Sequence, residues 1–184
     1  ILENKLKEAV TIEDIEKRLN LGADKISINT KAIKDLEFIN ESALEFGSQC
    51  IVVSIDAKLY MDNYFVYDNS ISSITELPVF DFVKQVENIG AGEILLNSVD
   101  QDGLGNGYDL LLIDEVVKKI KIPVIACGGV GEWSHFHDAL STTNVDAVAA
   151  ANIFHYRDQS VYLAKKYLYE NKMCVRKPDL LTIS

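Results

Sequence analysis

Short apolar runs alternate with amphipathic segments along most of this chain. From residue 22 onward, each apolar run follows a small or turn-forming residue and leads into polar loop residues. The runs occupy residues 25–29, 51–55, 94–99, 123–127 and 147–153. Each is nearly continuous rather than alternating, which is typical of a parallel β-strand covered on both faces. The pattern therefore predicts five parallel strands.

Amphipathic segments separate these runs and are predicted to be helices. They occupy residues 11–19, before the first run, and then 36–46, 78–89, 110–119, 134–140 and 159–170. Thr11, with acidic residues in the turn that follows, is typical of a helix start, and Gly47 and Gly90 are typical of helix ends. Alternating strands and helices predict an α/β fold with a parallel sheet.

One interval, residues 58–75, breaks the alternation. It carries β-forming residues on both sides of Asp62-Asn63, which predicts a hairpin inserted after the second strand. An insertion in the loop that follows a strand is better suited to shaping a pocket than to building the core.

Length and composition describe one globular domain spanning residues 1–184. The apolar fraction of 48% is enough for a core that needs neither disulfides nor a metal in order to fold. A strand–helix unit takes about 30 residues, so the chain supplies about six, whereas a closed barrel of eight units takes about 250 residues. Length alone therefore favours an open, doubly wound sheet.

Charge and cysteine usage exclude several functional classes. The chain has 18 basic and 28 acidic residues, a net charge of −10, which argues against a nucleic-acid partner. We expect a cytoplasmic protein without a membrane segment, because no window holds about 18 consecutive apolar residues and residues 1–8 lack the layout of a signal peptide. The cysteines lack C-x-x-C spacing, and His135 and His137 are predicted to lie on different helix faces, so no metal site is predicted.

Polar and small residues follow the predicted strands, where parallel α/β folds collect functional groups. Burial of a carboxylate at the end of an apolar strand costs free energy unless the group is paired or takes part in catalysis. Asp56 is therefore a candidate general acid or base. Capping of the next loop is the alternative role. Gly128-Gly129 lie between a strand and a helix, where backbone N–H groups can approach a phosphate, although a plain tight turn has the same pattern. Small residues at 149–151 favour the phosphate site.

Several segments in one order resemble the cyclase subunit family of imidazole glycerol phosphate synthase. They are residues 22–30, 54–58 (Ser-Ile-Asp-Ala-Lys), 90–96, 102–109 and 128–131 (Gly-Gly-Val-Gly), and the resemblance runs from about Thr11 to Lys177. It implies a (βα)8 TIM barrel of the phosphate-binding type in place of the open sheet. Residues 1–184 would then form a single partial barrel covering strands 4 to 8, with the hairpin after strand 5. The family's first three strands, which carry a catalytic aspartate and a glycine-rich phosphate loop, would be absent.

The resemblance also implies an activity and a role for each strand-end residue. The reaction is ring closure of a bis-phosphorylated ribulosyl aminoimidazole carboxamide intermediate with ammonia, which yields imidazole glycerol phosphate and an aminoimidazole carboxamide ribotide for histidine biosynthesis. It needs neither an organic cofactor nor a metal. Asp56 would be the general acid or base, and Asn29 and Thr30 would form half of one phosphate site. The other phosphate site would comprise Asp102, Gly103, Gly128, Gly129, Ala151 and Asn152.

A protein partner is implied as well, because the family receives its ammonia from a glutamine amidotransferase (glutaminase) subunit in a heterodimer. That subunit docks on the face where the strands begin. Lys25 and Glu93 each open a strand and would belong to a charged ring that gates the ammonia passage, with Asp24 in the interface. An ion pair that only stabilises the fold is the alternative interpretation.

Departures from the family pattern favour a second function. Cys127 and Asn152 stand where these cyclases usually have serine, and Glu76 stands where a glycine follows the threonine that corresponds to Thr75. Such changes resemble cyclase-like paralogues that pair with a glutaminase and supply ammonia to a sugar amidotransferase of surface-glycan biosynthesis. The isomerase that precedes the cyclase is a third and weaker candidate.

Overall fold

The computed structural model describes residues 11–156 and 161–178. The helices are α1 (Ile12–Asn20), α2 (Thr30–Lys34), α3 (Glu37–Phe46), α4 (Val79–Ile89), α5 (Leu110–Val117), α6 (Trp133–Thr142), α7 (Ile153–Tyr156) and α8 (Val161–Glu170). The strands are β1 (Ile26–Ile28), β2 (Ile51–Tyr60), β3 (Asn63–Asp68), β4 (Ser73–Pro78), β5 (Glu93–Ser98), β6 (Val124–Cys127) and β7 (Ala147–Val148). Within this described part of the chain, no helix has the length and apolar content needed to cross a lipid bilayer.

The strands of the described residues form one sheet. Five of them run parallel in the order β1-β2-β5-β6-β7. The remaining two, β3 and β4, extend the sheet in antiparallel fashion alongside the second half of β2. The prediction of an α/β fold with a largely parallel sheet is therefore confirmed.

The predicted helix boundaries hold where capping residues set them. The Oγ1 atom of Thr11 accepts a hydrogen bond from the Asp14 N–H at 3.1 Å and so caps α1. Gly47 and Gly90 end α3 and α4 with φ values of +87° and +119°, in the left-handed region that favours glycine. The first residues of the helix predicted over 159–170 lie outside the described residues, and α8 occupies the rest of it.

The last predicted strand is shorter than the apolar run that predicted it. Only Ala147–Val148 pair with β6, so the prediction is wrong beyond residue 148. The N–H of Ala149 still donates to the Ala126 carbonyl at 2.8 Å, but the Ala151 carbonyl then accepts from the Phe154 N–H at 3.2 Å. That second bond starts the turn of α7, which the apolar composition did not distinguish from a strand.

The inserted hairpin is confirmed, with its turn one residue before the predicted Asp62-Asn63, and it begins within a strand longer than predicted. β2 continues to Tyr60 and turns back through Met61 and Asp62, whose φ values of +46° and +62° are typical of a type I′ turn. Near the turn, the Asp100 carboxylate accepts hydrogen bonds from the Lys58 ammonium and from the Leu59 N–H, each at 2.7 Å. The hairpin is thereby attached to the loop that follows β5.

Side chains of β5 and β6 alternate between a buried face and a partly exposed face, whereas those of β2 are buried on both faces over most of residues 51–57. The buried face carries Val53, Ile55, Ile94, Leu96, Val124 and Ala126, which join one core with side chains of the helices. On the other face Leu95 and Ile125 are only partly covered. Within the described residues, the expectation that both faces are covered therefore holds for most of β2 and is wrong for β5 and β6, whose second face is only partly covered.

A hydrogen-bonded tyrosine joins the hairpin to the helix after β5. The hydroxyl of Tyr64 lies 3.0 and 2.9 Å from the two carboxylate oxygens of Asp109, which also caps α5 by accepting the Leu112 N–H at 3.1 Å. Burial, together with the adjacent Asp109 carboxylate, raises the pKa of Tyr64 above its usual value. The phenol therefore remains a donor at any physiological pH.

We predict that Tyr64→Phe lowers the free energy of unfolding by about 1.5–3 kcal/mol, because it removes a part-buried hydrogen bond to a charged group. Urea denaturation of the purified protein measures the change. Tyr67→Phe is the matched control, since Tyr67 lies on the same strand and its hydroxyl makes no hydrogen bond to another described residue. Equal losses in the two variants would contradict the prediction.

Candidate functional site

The register of the parallel strands brings three polar residues into one row. Asp56 on β2 pairs with Asn97 on β5, and Asn97 pairs with Cys127 on β6. Because side chains alternate along a strand, residues in register point to the same face of the sheet. The row lies at the carboxyl edge of the sheet, on the partly exposed face.

The carboxylate of Asp56 is held by amide groups from three different parts of the chain. Its Oδ1 atom accepts from the Asn97 side chain at 2.8 Å, and its Oδ2 atom accepts from Asn29 at 2.7 Å and from Asn69 at 2.6 Å. Asp56 is only 7% exposed. Neutral amide donors therefore compensate for the loss of water around a buried carboxylate. These hydrogen bonds agree with the prediction that the Asp56 carboxylate is paired or takes part in catalysis.

Gly128 and Gly129 form a turn that no other residue fits. Both have positive φ, +91° and +97°. A Cβ atom on Gly128 would lie 2.7 Å from Oδ1 of Asn97, and one on Gly129 would overlap the carbonyl oxygen of Gly107. The Gly107 N–H also donates to the Gly129 carbonyl at 2.8 Å. The glycines therefore let the loop after β6 pack directly on the loop after β5.

Several backbone N–H groups around this turn are available to an anion. Within residues 11–156 and 161–178, the N–H groups of Gly103, Gly129 and Asn152 donate no hydrogen bond to a protein acceptor. They surround an open pocket of about 230 Å³. Its lining comprises Ser54, Asp56, Leu95, Asn97, Asp102, Gly103, Cys127, Gly128, Gly129, Val130, Ala150, Ala151 and Asn152. Backbone N–H groups in such loops attract phosphate through their dipoles, without a basic side chain.

The pocket unites most of the predicted site residues. Asp56 and all members of the phosphate site predicted after β5, β6 and β7 line it. Asn29 and Thr30 do not line it, but the Asn29 amide contacts Asp56 and Thr30 starts α2 directly beyond. The structure thus places Asn29 at the carboxylate, beside Thr30, with which the resemblance assigned it to the second phosphate site.

The thiol of Cys127 is a neutral group at the β6 end of the row. Burial raises the pKa of Cys127, and the carboxylates of Asp102 and Asp56 add to the shift, although a hydrogen bond from the Gly128 N–H opposes it. The thiol therefore carries no negative charge near the proposed anion site.

Sequence reasoning missed three side chains that support the site. Asn97 ends a strand and could have been found by the rule that identified Asp56. The hydroxyl of Tyr108 donates to the Ala149 carbonyl at 2.9 Å and so ties the loop after β5 to the chain after β7. Asn69 reaches Asp56 from the loop between β3 and β4. Nothing in the local sequence around Asn69 indicated that contact.

The opposite edge of the sheet carries the remaining predicted residues. Lys25 forms an ion pair with Glu93, across the start of β2, and Asp24 is exposed beside them. These residues lie where the parallel strands begin, a full strand length from Asp56. The geometry agrees with both predicted interpretations of the pair, the gate and the stabilising contact.

No metal site was identified in the described part of the chain, where no three His, Cys, Asp or Glu side chains come together as ligands.

The loop threonine, Thr75, makes its hydrogen bonds within the hairpin. The Thr75 hydroxyl donates to the Val66 carbonyl at 2.8 Å and accepts from the Leu77 N–H at 3.2 Å, and the neighbouring Glu76 is exposed.

Comparisons with known proteins give a consistent picture. Residues 10–160 match the family described as "Histidine biosynthesis protein". The protein "Imidazole glycerol phosphate synthase subunit HisF" of Hydrogenobaculum sp. (strain Y04AAS1) is 50% identical to the chain over 167 residues. Those residues are 90% of this chain and 66% of that relative, so the chain spans slightly less than two thirds of the length of the relative it matches.

We predict that Gly129→Ala destabilises the protein more than Gly22→Ala, by about 1–3 kcal/mol. The two glycines have nearly the same φ, +97° and +99°, so the backbone strain of alanine is matched. A Cβ atom at residue 22 meets nothing within 4 Å, whereas at residue 129 it overlaps the Gly107 carbonyl. Thermal and urea denaturation measure the difference. Similar losses would show that the two loops do not pack as described.

Proposed function

Since the chain belongs to the histidine biosynthesis protein family, we propose that it forms the catalytic part of the cyclase subunit of imidazole glycerol phosphate synthase. The observation that carries the proposal is the buried carboxylate of Asp56, which lines one pocket with Gly103, Gly129 and Asn152, whose N–H groups donate to no acceptor among the described residues. A proton-transfer group beside an anion site is what cyclisation of a phosphorylated substrate requires.

The proposal includes a (βα)8 barrel, in which the parallel strands described here are strands 4 to 8 and residues 1–184 form one domain. Within the described residues, β1 pairs only with β2, and β7 only with β6, so each has one edge open to a further strand. The partly exposed face of the sheet, with Leu95 and Ile125, would be the barrel interior. The two open strand edges support closure of the sheet into a barrel by further strands. The relative has further chain beyond the matched residues, which are 66% of its length.

The substrate would lie across the carboxyl edge of the sheet, with its two phosphates bound at separate sites. One phosphate would accept hydrogen bonds from the N–H groups of Gly103, Gly129 and Asn152, beside Asp102, Gly128 and Ala151. The other would lie toward Asn29 and Thr30. Binding at both ends would hold the reacting atoms against Asp56, which reduces the entropic cost of the ring closure. The N–H dipoles would overcome the repulsion of a chain with a net charge of −10.

Asp56 would exchange a proton with the substrate while ammonia is incorporated and the imidazole ring closes. The products would be imidazole glycerol phosphate and an aminoimidazole carboxamide ribotide. The carboxylate is oriented in part by Asn29 and Asn97, side chains at the ends of β1 and β5. No organic cofactor or metal enters this proposal.

Ammonia would come from a glutaminase subunit docked where the strands begin, in a heterodimer. The Lys25–Glu93 ion pair lies at this edge and would gate the passage, and Asp24 would contact the partner. Leu21 and Leu44, which precede β1 and β2 and are 80% and 79% exposed, would add apolar area to that contact.

A specific observation favours a second candidate, the ammonia-channelling partner of a glutaminase that serves a sugar amidotransferase. The Thr75 hydroxyl is engaged by Val66 and Leu77, within the hairpin, and is not directed at the pocket. Cys127 and Asn152, which replace the serines usual in the cyclases, both line the pocket. In this function the barrel would keep the glutaminase face and lose cyclisation.

We expect Asp56→Asn to lower ammonia-dependent turnover by at least about a hundredfold, because an amide cannot exchange the proton. Substrate consumption with ammonium salt measures turnover, and circular dichroism checks the fold. Asp62→Asn, at the exposed hairpin turn, is the matched control and should keep full turnover. Full turnover in Asp56→Asn would remove Asp56 from the mechanism.

The two candidate functions predict different activities for the unmodified protein. We expect the cyclase to convert the bis-phosphorylated intermediate with ammonium salt alone, because the chemistry needs only this subunit and a nitrogen source. The channelling partner would show no conversion, yet it would still bind and activate its glutaminase.

If conversion is absent, the triple variant Cys127→Ser, Asn152→Ser and Glu76→Gly tests whether only the pocket has diverged. Recovered conversion in that variant would support the channelling function. Robust conversion without any substitution would contradict it.

A further inference from the structure

The loop between β3 and β4 contributes a side chain to the candidate active site. Asn69, in this inserted hairpin, donates its Nδ2 hydrogen bond to Oδ2 of Asp56 at 2.6 Å. The other two donors to Asp56 are Asn29 and Asn97, which stand at the ends of parallel strands. Asn69 is thus the one amide of the three that the strand–helix framework does not supply.

The loop is anchored independently of Asp56. The carboxylate of Asp68, which is 3% exposed, accepts hydrogen bonds from the N–H and the hydroxyl of Ser70, at 2.8 and 2.6 Å. These hydrogen bonds lower the pKa of Asp68, even though burial opposes the shift. The Lys34 ammonium on α2 donates to the Ser70 hydroxyl at 3.0 Å and lies 3.9 Å from Asp68. Residues on both sides of Asn69 are therefore fixed, and its amide is held toward Asp56.

The hydrogen bonds are distributed unequally over the two carboxylate oxygens. Each oxygen of a carboxylate offers about two lone-pair positions. Oδ2 accepts from Asn29 and Asn69, so both of its positions are used, whereas Oδ1 accepts only from Asn97 among the described residues. The remaining acceptor position of Asp56 is therefore on Oδ1, the oxygen beside Asn97 in the strand-end row.

We propose that Asn69 is a positioning residue that, by occupying Oδ2, directs proton exchange with the substrate to Oδ1 of Asp56. This inference rests on the proposed cyclase function. In this step ammonia adds to the carbonyl carbon of the ribulosyl group and forms a C–N bond. A proton then passes from that nitrogen to Oδ1 and from Oδ1 to the former carbonyl oxygen, and the C–O bond breaks to release water, so a C=N bond forms and the carboxylate is regenerated. Asn69 donates to Oδ2 throughout and does not touch the substrate.

The test compares ammonia-dependent turnover in three variants of the protein at its natural length. We expect Asn69→Ala to lower kcat about tenfold, because one hydrogen bond to a charged group is lost, and to leave KM unchanged, because Asn69 does not line the pocket. Asn69→Leu has a similar shape but no donor, so its kcat should fall about as far. Asn63→Ala is the matched control in the same hairpin, since that amide donates to the Met61 carbonyl and should be dispensable.

Two further measurements distinguish positioning from a general effect on the hairpin. In an Asp56→Asn background, Asn69→Ala should cause no additional loss of kcat, because Asn69 acts through that carboxylate. In the Asp56→Ala variant, the NMR chemical shift of the Asn69 side-chain NH2 group should move toward that of a solvent-exposed asparagine. The NH2 resonance of Asn63 should not move.

The possible outcomes separate this inference from the function on which it rests. An active protein whose kcat is unchanged by Asn69→Ala overturns the role of Asn69 and leaves the cyclase function intact. Additive losses in the double variant, or a raised KM with unchanged kcat, also overturn it. A protein without cyclase activity overturns the proposed function and the role of Asn69 with it, while an NH2 shift in Asp56→Ala would still establish the contact.

Discussion

The parallel register of β2, β5 and β6 is the constraint on which the candidate site depends. It sets Asp56, Asn97 and Cys127 side by side at the carboxyl edge of the sheet. A shift of one residue in any pair would move a polar side chain to the face that the helices cover. Burial of the Asp56 carboxylate is acceptable because that same register delivers amide donors to it.

Close packing of loops adds the second half of the site. Gly129 brings its backbone against Gly107, and Tyr108 reaches the carbonyl of Ala149, so the loops after β5, β6 and β7 converge. This arrangement leaves residues whose backbone N–H groups have no acceptor among the described residues lining a shared pocket. An acidic chain can thereby offer an anion site through dipoles, since the attraction comes from local N–H groups and not from net charge.

The inserted hairpin has a structural and a chemical connection to the sheet. Tyr64 and Asp109 fix it to α5, and the turn around Asp68 and Ser70 fixes its other end to α2. Between these attachments Asn69 reaches Asp56. An insertion that contacts both the framework and the carboxylate can adjust the chemistry of the pocket while the core remains the same.

The sequence by itself determined the order of strands and helices, the hairpin and the placement of Asp56 and Gly128-Gly129 at strand ends, because these follow from local periodicity and turn chemistry. Only the tertiary structure decided that β7 stops at Val148, since an apolar run suits a strand or a buried helix equally. It also decided the contact of Asn69 with Asp56, which are 13 residues apart. That contact depends on how the hairpin folds back over the sheet, so the local sequence pattern does not predict it.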